Sequence, residues 1–392
     1  MTDATARSQR AALDLSKRDL TLDLARVFCV LLVVVIHLLM VGVKTEGGIA
    51  LERPLEAQPW FPVVTWFGQI MPLFFVVGGF ASMTAWRSLR RRGGDGPDYV
   101  KSRVLRLAQP AFPLFVFYSV VILAGVVIVT TTGLLGFDVL DGVFIGAGSP
   151  LWFIAAYALC QALVPFLAHL HEIAPKRTVL VLLLGVIVVD VLHFTTFYWI
   201  GLLNLLFVWP LVQQIGFWYA DGFFDRRRWW QLVLIALASL GMLWPLTQAG
   251  PYDVNMLVNL NPPTLPLVFL GLAQAATLRL LKRPLSALMR TRVMKGIVFL
   301  VGTRLMTIYL WHLPVIIALS GLALLIPGAS PDPGSSTWWL TRPIEYVLVL
   351  VVLFGLSFLV GRWEQPRELG PTPPIWVVTV AAALTFVPPF LV

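Results

Sequence analysis

The chain has 392 residues, of which 58% are hydrophobic and 12% are charged, and its formal net charge at pH 7 is +9. No soluble core requires so large an apolar fraction, so the composition excludes an ordinary soluble protein and predicts a polytopic membrane protein. The basic residues fall between apolar runs rather than on one folded surface, which argues against nucleic-acid binding. Cys29 and Cys160 lie inside apolar runs, which argues against disulfides and against a metal site.

The apolar runs predict an all-α bundle of ten or eleven transmembrane helices in residues 22–392, after a polar tail in residues 1–21. The first run is too long for a cleavable signal peptide. No segment between the runs is long enough to form a separate soluble domain. The predicted spans are 22–43, 61–86, 109–132, 150–170, 178–194, 198–220, 229–248, 263–281, 303–326, 343–361 and 374–391.

The distribution of Lys and Arg predicts which side of the membrane each loop occupies. With a cytoplasmic N-terminus, the inner segments carry 24 of these residues, and the outer loops carry 3, namely Lys44, Arg53 and Arg342. Because cytoplasmic loops are enriched in Lys and Arg, this asymmetry predicts that the N-terminus is cytoplasmic and that the C-terminus is outside. Arg26 and Arg304 are predicted to lie within spans.

The first span, LDLARVFCVLLVVVIHLLMVGV, contains three ionisable residues: Asp23, Arg26 and His37. Charged groups at bilayer depth are costly, so such residues face the protein interior or a wet cavity. Arg26 and His37 are eleven positions apart, which puts them on one helix face, about 16 Å apart along the axis. Arg26 could instead extend to the membrane interface, and His37 could be a hydrogen-bonded structural residue. The shared face nevertheless indicates a site with a base at one end and a cation at the other.

The second span contains MPLFFVVGGF, whose proline and paired glycines permit either close helix packing or a helix break beside a cavity. The loop that follows leads into the third span with Arg103 and Arg106, which share a helix face. Anchoring of the helix at the inner membrane surface explains most such arginines. Two guanidiniums at the mouth of a bundle could also bind a phosphate group.

The fourth span begins with SPLWF, and its polar residues receive different interpretations. Trp152 is predicted to lie at the membrane interface, and Gln161 to bond a neighbouring helix. His169 and His171, at the inner end of this span, are predicted to be solvated.

The later spans add a second deep histidine. Asp190 and His193 form an i, i+3 pair near the outer face, for which functional and structural explanations carry equal weight. In the ninth span, His312 lies within TRLMTIYLWHLP, together with Arg304 and Tyr309. Two deep histidines and a deep arginine in one bundle are difficult to explain by packing alone.

Together these segments resemble the acyltransferase-3 family of integral membrane O-acyltransferases. The resemblance runs in order over roughly residues 18–315, and GGF stands where Ser-Gly-Phe is commoner in the family. The segments that carry it are LDLARVFCVLLVVVIH, MPLFFVVGGF, RVLR, SPLWF, GFWYADG, NPPT and YLWHLP.

The resemblance implies that an acyl group, usually acetyl, moves from an acyl-CoA donor to a hydroxyl group. The acceptor would be a cell-surface glycan, a glycolipid or a glycosylated metabolite, and the protein would lie in the bacterial cytoplasmic membrane without a tightly bound cofactor. A neutral imidazole suits the removal of a hydroxyl proton, so His37 is the candidate base. His312 is a candidate partner that orients substrate or stabilises an oxyanion. The candidates for binding the donor phosphates are Arg26, Arg103 and Arg106, and the candidate supporting residues are Asp23, Trp152, Tyr309 and Arg304.

The alternative from another functional class is a secondary transporter of a small polar or anionic solute. Many spans, proline breaks and intramembrane ionisable groups would fit a transporter as well. The lack of an internal repeat and the ordered set of motifs count against it.

Overall fold

A computed structural model describes residues 19–44, 50–132, 148, 151–363 and 378–379. Within these residues the chain is almost entirely helical, and its one sheet is a two-stranded hairpin. Nine helices of the described part are long and apolar enough to cross a membrane, and Pro266–Leu280 is a shorter apolar helix. The predicted all-α, polytopic transmembrane bundle is therefore confirmed.

The helices and strands are labelled in chain order. They are α1 (Leu20–Met40), β1 (Gly42–Lys44), β2 (Ala50–Glu52), α2 (Phe61–Gly68), α3 (Met71–Arg91), α4 (Gly96–Thr132), α5 (Leu151–Ile173), α6 (Pro175–Thr195), α7 (Val208–Ala220), α8 (Trp229–Gln248), α9 (Pro266–Leu280), α10 (Lys282–Leu288), α11 (Arg292–Gly302), α12 (Leu305–Leu324) and α13 (Ser336–Val360). Two 3-10 segments, Tyr198–Leu206 and Gly361–Trp363, adjoin α7 and α13.

Two of the predicted spans are broken helices. The second, 61–86, is divided at Gln69 and Ile70 into the short α2 and the long α3. Pro72 lies in the first turn of α3, where its missing N–H has no intrahelical partner to lose. The sixth, 198–220, is divided at Phe207 into the 3-10 segment Tyr198–Leu206 and α7, whereas the ninth, 303–326, corresponds to α12 alone. The hydropathy of an apolar run indicates that the segment lies in lipid. It does not change where the helix breaks, so it does not locate the break.

Other spans differ in length. The third was predicted to begin at residue 109, but α4 begins at Gly96, because the polar turns that precede its apolar part are also helical. The eighth corresponds to α9, whose 15 residues rise about 22 Å, less than the hydrocarbon thickness of a bilayer. The eleventh predicted span, 374–391, lies outside the described residues apart from 378–379.

The helices α3 and α7 pack closely because glycines face each other at their contact. A Cβ atom on Gly79 would lie 2.2 Å from the carbonyl oxygen of Gln213, and one on Gly216 would lie 2.1 Å from that of Val76. Neither position has room for a larger residue. Of the two roles predicted for the GGF element, helix packing is the one that this contact supports.

The prediction that His171 is solvated was wrong, although His169 is exposed. His171 is 2% exposed, and its ring nitrogens lie 2.8 Å from Gln214 Oε1 and 3.0 Å from Asp221 Oδ2. Arg87 also binds Asp221, at 2.8 Å. Burial opposes ionisation of the Asp221 carboxyl, but the hydrogen bonds from His171 and Arg87 outweigh it and hold its pKa below the usual value. This cluster joins α3, α5 and α7.

Two further buried polar groups bridge elements. Gln161 of α5 accepts hydrogen bonds from Ser82 and from Tyr99, which confirms its predicted role between helices. Asp190 of α6 is 2% exposed and accepts hydrogen bonds from the Asn204 amide, the Tyr252 hydroxyl and a backbone N–H. These three donors occupy the Asp190 oxygens and join α6 to its neighbours, which favours the structural explanation.

Arg342 was predicted in an outer loop but lies inside α13. It is 7% exposed, pairs with Glu345 and covers the ring of Trp338 at 4.2 Å. The α13 helix begins seven residues earlier than the predicted span because Ser335 caps it, accepting a hydrogen bond from the backbone N–H of Trp338.

The region beyond the C-terminal end of α1 is more structured than a simple loop. Strands β1 and β2 pair antiparallel, and the short α2 follows them. The segment between α8 and α9 is attached to α2, because Trp66 Nε1 donates to the Val254 carbonyl and Thr65 Oγ1 accepts from the Met256 N–H. These contacts form one wall of the cavity described below.

Candidate active site

His37 and His312, which the sequence singled out separately, are in direct contact within the bundle. His37 Nδ1 lies 2.8 Å from His312 Nε2, and the two rings stack with centroids 4.9 Å apart. His37 stands one turn before the end of α1, and His312 lies in the second turn of α12. The two residues are 275 positions apart in the sequence.

The hydrogen-bond partners fix the tautomers of both rings. His312 Nδ1 lies 2.5 Å from the backbone carbonyl oxygen of Tyr309, which can only accept, so Nδ1 carries the proton. In the neutral ring His312 Nε2 is then an acceptor, and it receives the N–H of His37 Nδ1. His37 Nε2 is consequently left with a free lone pair. The Tyr309 carbonyl thus orients the His312 ring, and His312 orients the His37 ring. The neutral His37 ring is left with one nitrogen that can act as a base.

His37 also lines a cavity of about 290 Å³, here named the His37 cavity. Its walls come from the second half of α1, from α2, from the first residues of α3 and α5, from Tyr309 of α12 and from the loop before α9. His312 is 0% exposed and is not among the lining residues, whereas His37 is half-buried. Because His37 Nδ1 is occupied by His312, Nε2 is the ring nitrogen available to a molecule in the cavity.

Aromatic side chains pack around the His37 cavity and beside the histidine pair. Trp152, which was predicted at the membrane interface, lines the cavity and stacks on Trp209 with centroids 5.9 Å apart. Trp209 in turn stacks on Phe75 at 4.3 Å. Phe153 contacts the ring of Tyr309 at 5.3 Å, next to the histidine pair. Trp152 and Tyr309, two of the predicted supporting residues, thus lie at the candidate site.

The other two predicted supporting residues lie away from the histidines. Arg304 precedes α12 by one residue, and its Nε donates to Ser357 Oγ at 2.8 Å, so it links α12 to α13. Its Cα is eight residues before His312, or about 12 Å along a helix. Asp23 lies in the first turn of α1, where it forms an ion pair with Arg26 at 3.8 Å. Both are near the N-terminal ends of their helices rather than at the pair.

The predicted phosphate-binding arginines are at the end of the bundle opposite to the cavity. Arg26 is near the start of α1, beside the α11–α12 junction, since a Cβ on Gly302 would lie 4.0 Å from Val27. Arg103 covers the ring of Tyr99 at 5.1 Å, and Arg106 is exposed one turn later on α4. The α4 helix packs against α5 and α12. The structure does not bring these arginines to the histidine pair.

Sequence reasoning missed several residues around the site. Trp209 and Gln213 of α7 are 0% and 1% exposed, and among the described residues the indole N–H and both amide atoms have no hydrogen-bond partner. Thr65 and Gln69 line the cavity at the break between α2 and α3, which the sequence offered as one of two alternatives without giving its position. Gln213 was visible as a polar residue within an apolar run. Nothing in the sequence pointed to Trp209 rather than to any other tryptophan.

Comparison with known proteins agrees with the resemblance seen in the sequence. The model of the acyltransferase-3 family, described as an acyltransferase domain, matches residues 19–362. No curated protein and no solved structure matches the chain. The family match covers all the transmembrane helices described above and does not favour the transporter alternative. The chain belongs to the acyltransferase-3 family and is a multi-pass membrane acyltransferase.

Proposed function

We propose that the protein transfers an acetyl group from acetyl-CoA to a hydroxyl of a glycan, a glycolipid or a glycosylated metabolite, with His37 as the general base. The observation that carries this proposal is that His37 lines a cavity while His312 holds its Nδ1, which leaves Nε2 as the free ring nitrogen. A neutral imidazole is the side chain best suited to take a hydroxyl proton near pH 7.

The reaction follows from this geometry. The acceptor hydroxyl donates its proton to His37 Nε2 as its oxygen attacks the thioester carbonyl carbon. A C–O bond forms, the C–S bond then breaks, and the CoA thiolate leaves. The proton on Nε2 passes to that thiolate, which restores neutral His37. The free Nε2 could also attack the thioester itself to give a transient acyl-histidine, and the same geometry serves that route.

We assign His312 a positioning role. Its Nε2 accepts the Nδ1–H of His37, so it holds the His37 ring and keeps the proton off Nε2. When His37 takes up a proton, this hydrogen bond becomes charge-assisted and therefore stronger. The role differs from the oxyanion donor considered from sequence, because His312 Nδ1–H already points at the Tyr309 carbonyl.

The donor is proposed to enter from the cytoplasmic side, at the Arg26 end of α1. Acyl-CoA carries several phosphate charges, and Arg26, Arg103 and Arg106 are the arginines proposed to bind them. The loop charges support a cytoplasmic N-terminus, and the protein is proposed to lie in a bacterial cytoplasmic membrane. With that orientation, the His37 cavity faces the outer side, from which the acceptor would approach.

The proposal is tested with purified protein in lipid nanodiscs. Release of CoA from acetyl-CoA is followed with a thiol reagent, and the acetylated product is identified by mass spectrometry. We expect acetyl-CoA turnover by the natural protein and a loss on the order of 10²–10⁴-fold for His37→Gln, the usual range for a missing general base. His169→Gln is the matched control, since His169 is an exposed histidine outside the site. Full turnover by a folded, donor-binding His37→Gln protein would contradict the proposal.

A further inference from the structure

The walls of the His37 cavity are almost entirely apolar. Among its lining residues, all of which belong to the described part of the chain, there is no Asp, Glu, Lys or Arg. The polar side chains of Thr65 and Gln69, which also line the cavity, form hydrogen bonds within the protein. Thr65 donates to the Pro62 carbonyl and accepts from the Met256 N–H, and Gln69 Oε1 accepts from the N–H of Met71. The lining also contains the polar groups of Trp60, Trp152 and Tyr309, but among the lining side chains the His37 imidazole is the one suited to accept a hydroxyl proton near pH 7.

The cavity also borders the surface that faces lipid. Trp60 and Val64 both line it, yet they are 50% and 44% exposed. Next to them on the surface of α2, Val63 and Phe67 are 52% and 69% exposed and do not line the cavity. With only eight residues, α2 rises about 12 Å, so it cannot cross a bilayer. It therefore forms a thin apolar wall between the cavity and the lipid leaflet at the Met40 end of α1.

We propose that the His37 cavity binds an uncharged amphipathic alcohol whose apolar part lies against α1 and α2 and whose hydroxyl meets His37 Nε2. This inference rests on the proposed function and names the class of acceptor. A charged or fully hydrated glycan would lose water in this cavity without gaining partners, which is costly. An aliphatic or ring system gains free energy from each buried methylene. Such a molecule would partition into the outer leaflet and reach the cavity past α2.

The same apolar walls could in principle hold a long acyl chain of the donor. Two features favour the acceptor. The base must touch the hydroxyl that it deprotonates, and His37, whose Nδ1 is held by His312, lines the cavity. The arginines proposed to hold the donor lie at the opposite end of α1, about 16 Å from His37.

The test uses photolabelling of the full-length protein in nanodiscs. The probe is a ten-carbon primary alcohol with a mid-chain diazirine and a terminal alkyne, and labelled peptides are mapped by mass spectrometry. Val64→Trp fills the cavity from α2, and Val63→Trp is the matched control, because Val63 is equally lipid-facing but does not line the cavity. We expect labelling of residues 32–39 in the natural protein, a decrease of about tenfold in Val64→Trp, and no change in Val63→Trp. Unlabelled decanol should compete, whereas glucose should not.

Three results would overturn the inference. Equal labelling of residues 32–39 in Val64→Trp and Val63→Trp would mean that the probe reports only the surrounding lipid. Competition by glucose as strong as that by decanol would mean that the site takes a hydrophilic acceptor. Competition by octanoyl-CoA but not by decanol would assign the cavity to the acyl chain of the donor. Release of CoA from acetyl-CoA is measured separately, so a site that binds the alcohol in a protein without thioester cleavage would reject the proposed function alone.

Discussion

Chemical rescue of His37→Ala tests the paired-histidine arrangement most directly. The substitution removes the base and leaves a space that joins the His37 cavity, which can admit imidazole from solution. The expected loss of 10²–10⁴-fold corresponds to about 2.7–5.4 kcal/mol in the activation free energy. Free imidazole should restore part of this activity in a saturable manner, because it can occupy the place of the lost ring.

His312→Ala should behave differently. His312 is 0% exposed and is separated from the cavity by the His37 ring, so imidazole should not replace it. The lost hydrogen bond is worth about 0.5–1.5 kcal/mol between neutral rings and about 1.5–3 kcal/mol when His37 is protonated. The difference of about 1–1.5 kcal/mol predicts a loss of roughly 5–13-fold in turnover. Because the substitution also leaves a buried space, the amount of folded protein must be measured alongside.

The assay is acetyl transfer at increasing imidazole concentration, with acetyl-CoA binding measured for each variant. His169→Ala, at an exposed position, controls for general effects of imidazole. Equal rescue of the His37→Ala and His312→Ala proteins would refute the assigned roles. So would the absence of any rescue in a His37→Ala protein that still binds acetyl-CoA.

Three further predictions concern the rest of the molecule. A cysteine at Glu52 should be labelled from outside the cell and one at Arg92 should not, since loop charges predict opposite sides of the membrane for these two exposed positions. The native cysteines are buried and should not react. The reverse labelling pattern would show that the topology is inverted. Arg103→Ala or Arg106→Ala should weaken acetyl-CoA binding by about 1.5–3 kcal/mol in calorimetry, if each makes a charge-assisted hydrogen bond, and unchanged affinity in both would exclude them from the donor site. The pKa of Asp221 is depressed in the folded state, so its contribution to stability is present above its unfolded pKa and is lost as the pH falls through the folded value. Asp221→Asn should therefore lower Tm near pH 7 and have less effect in acid, and a Tm difference independent of pH would contradict this explanation.

The sequence was a good guide to features that depend on composition and on local spacing. Long apolar runs with few charges leave a membrane bundle as the one stable solution, because backbone polar groups in lipid must be satisfied within helices. The eleven-residue spacing of Arg26 and His37 placed them on one face of α1 by helical geometry alone. His37 and His312 were both recognised as candidate site residues because ionisable side chains at bilayer depth are costly and usually functional.

Features that depend on where a helix breaks or caps were less predictable. The division of residues 61–86 into α2 and α3 involves two residues, Gln69 and Ile70, within an otherwise apolar run. A broken helix and a straight helix of the same composition have the same hydropathy, so hydropathy does not locate the break. His171 was misjudged for a related reason, since its position near a span end suggested solvent, while its partners Gln214 and Asp221 come from another helix.

The sequence by itself determined the bundle, its family and the two histidines that stand in it, because these follow from composition, helical periodicity and ordered motifs. Tertiary structure alone decided that His37 and His312 share a hydrogen bond, which nitrogen is left free, and that the adjoining cavity is apolar. Each of these depends on contacts between residues far apart in the chain, such as the 2.8 Å contact across 275 positions. Only the packing of α1 against α12, with α2 folded beside them, creates those contacts.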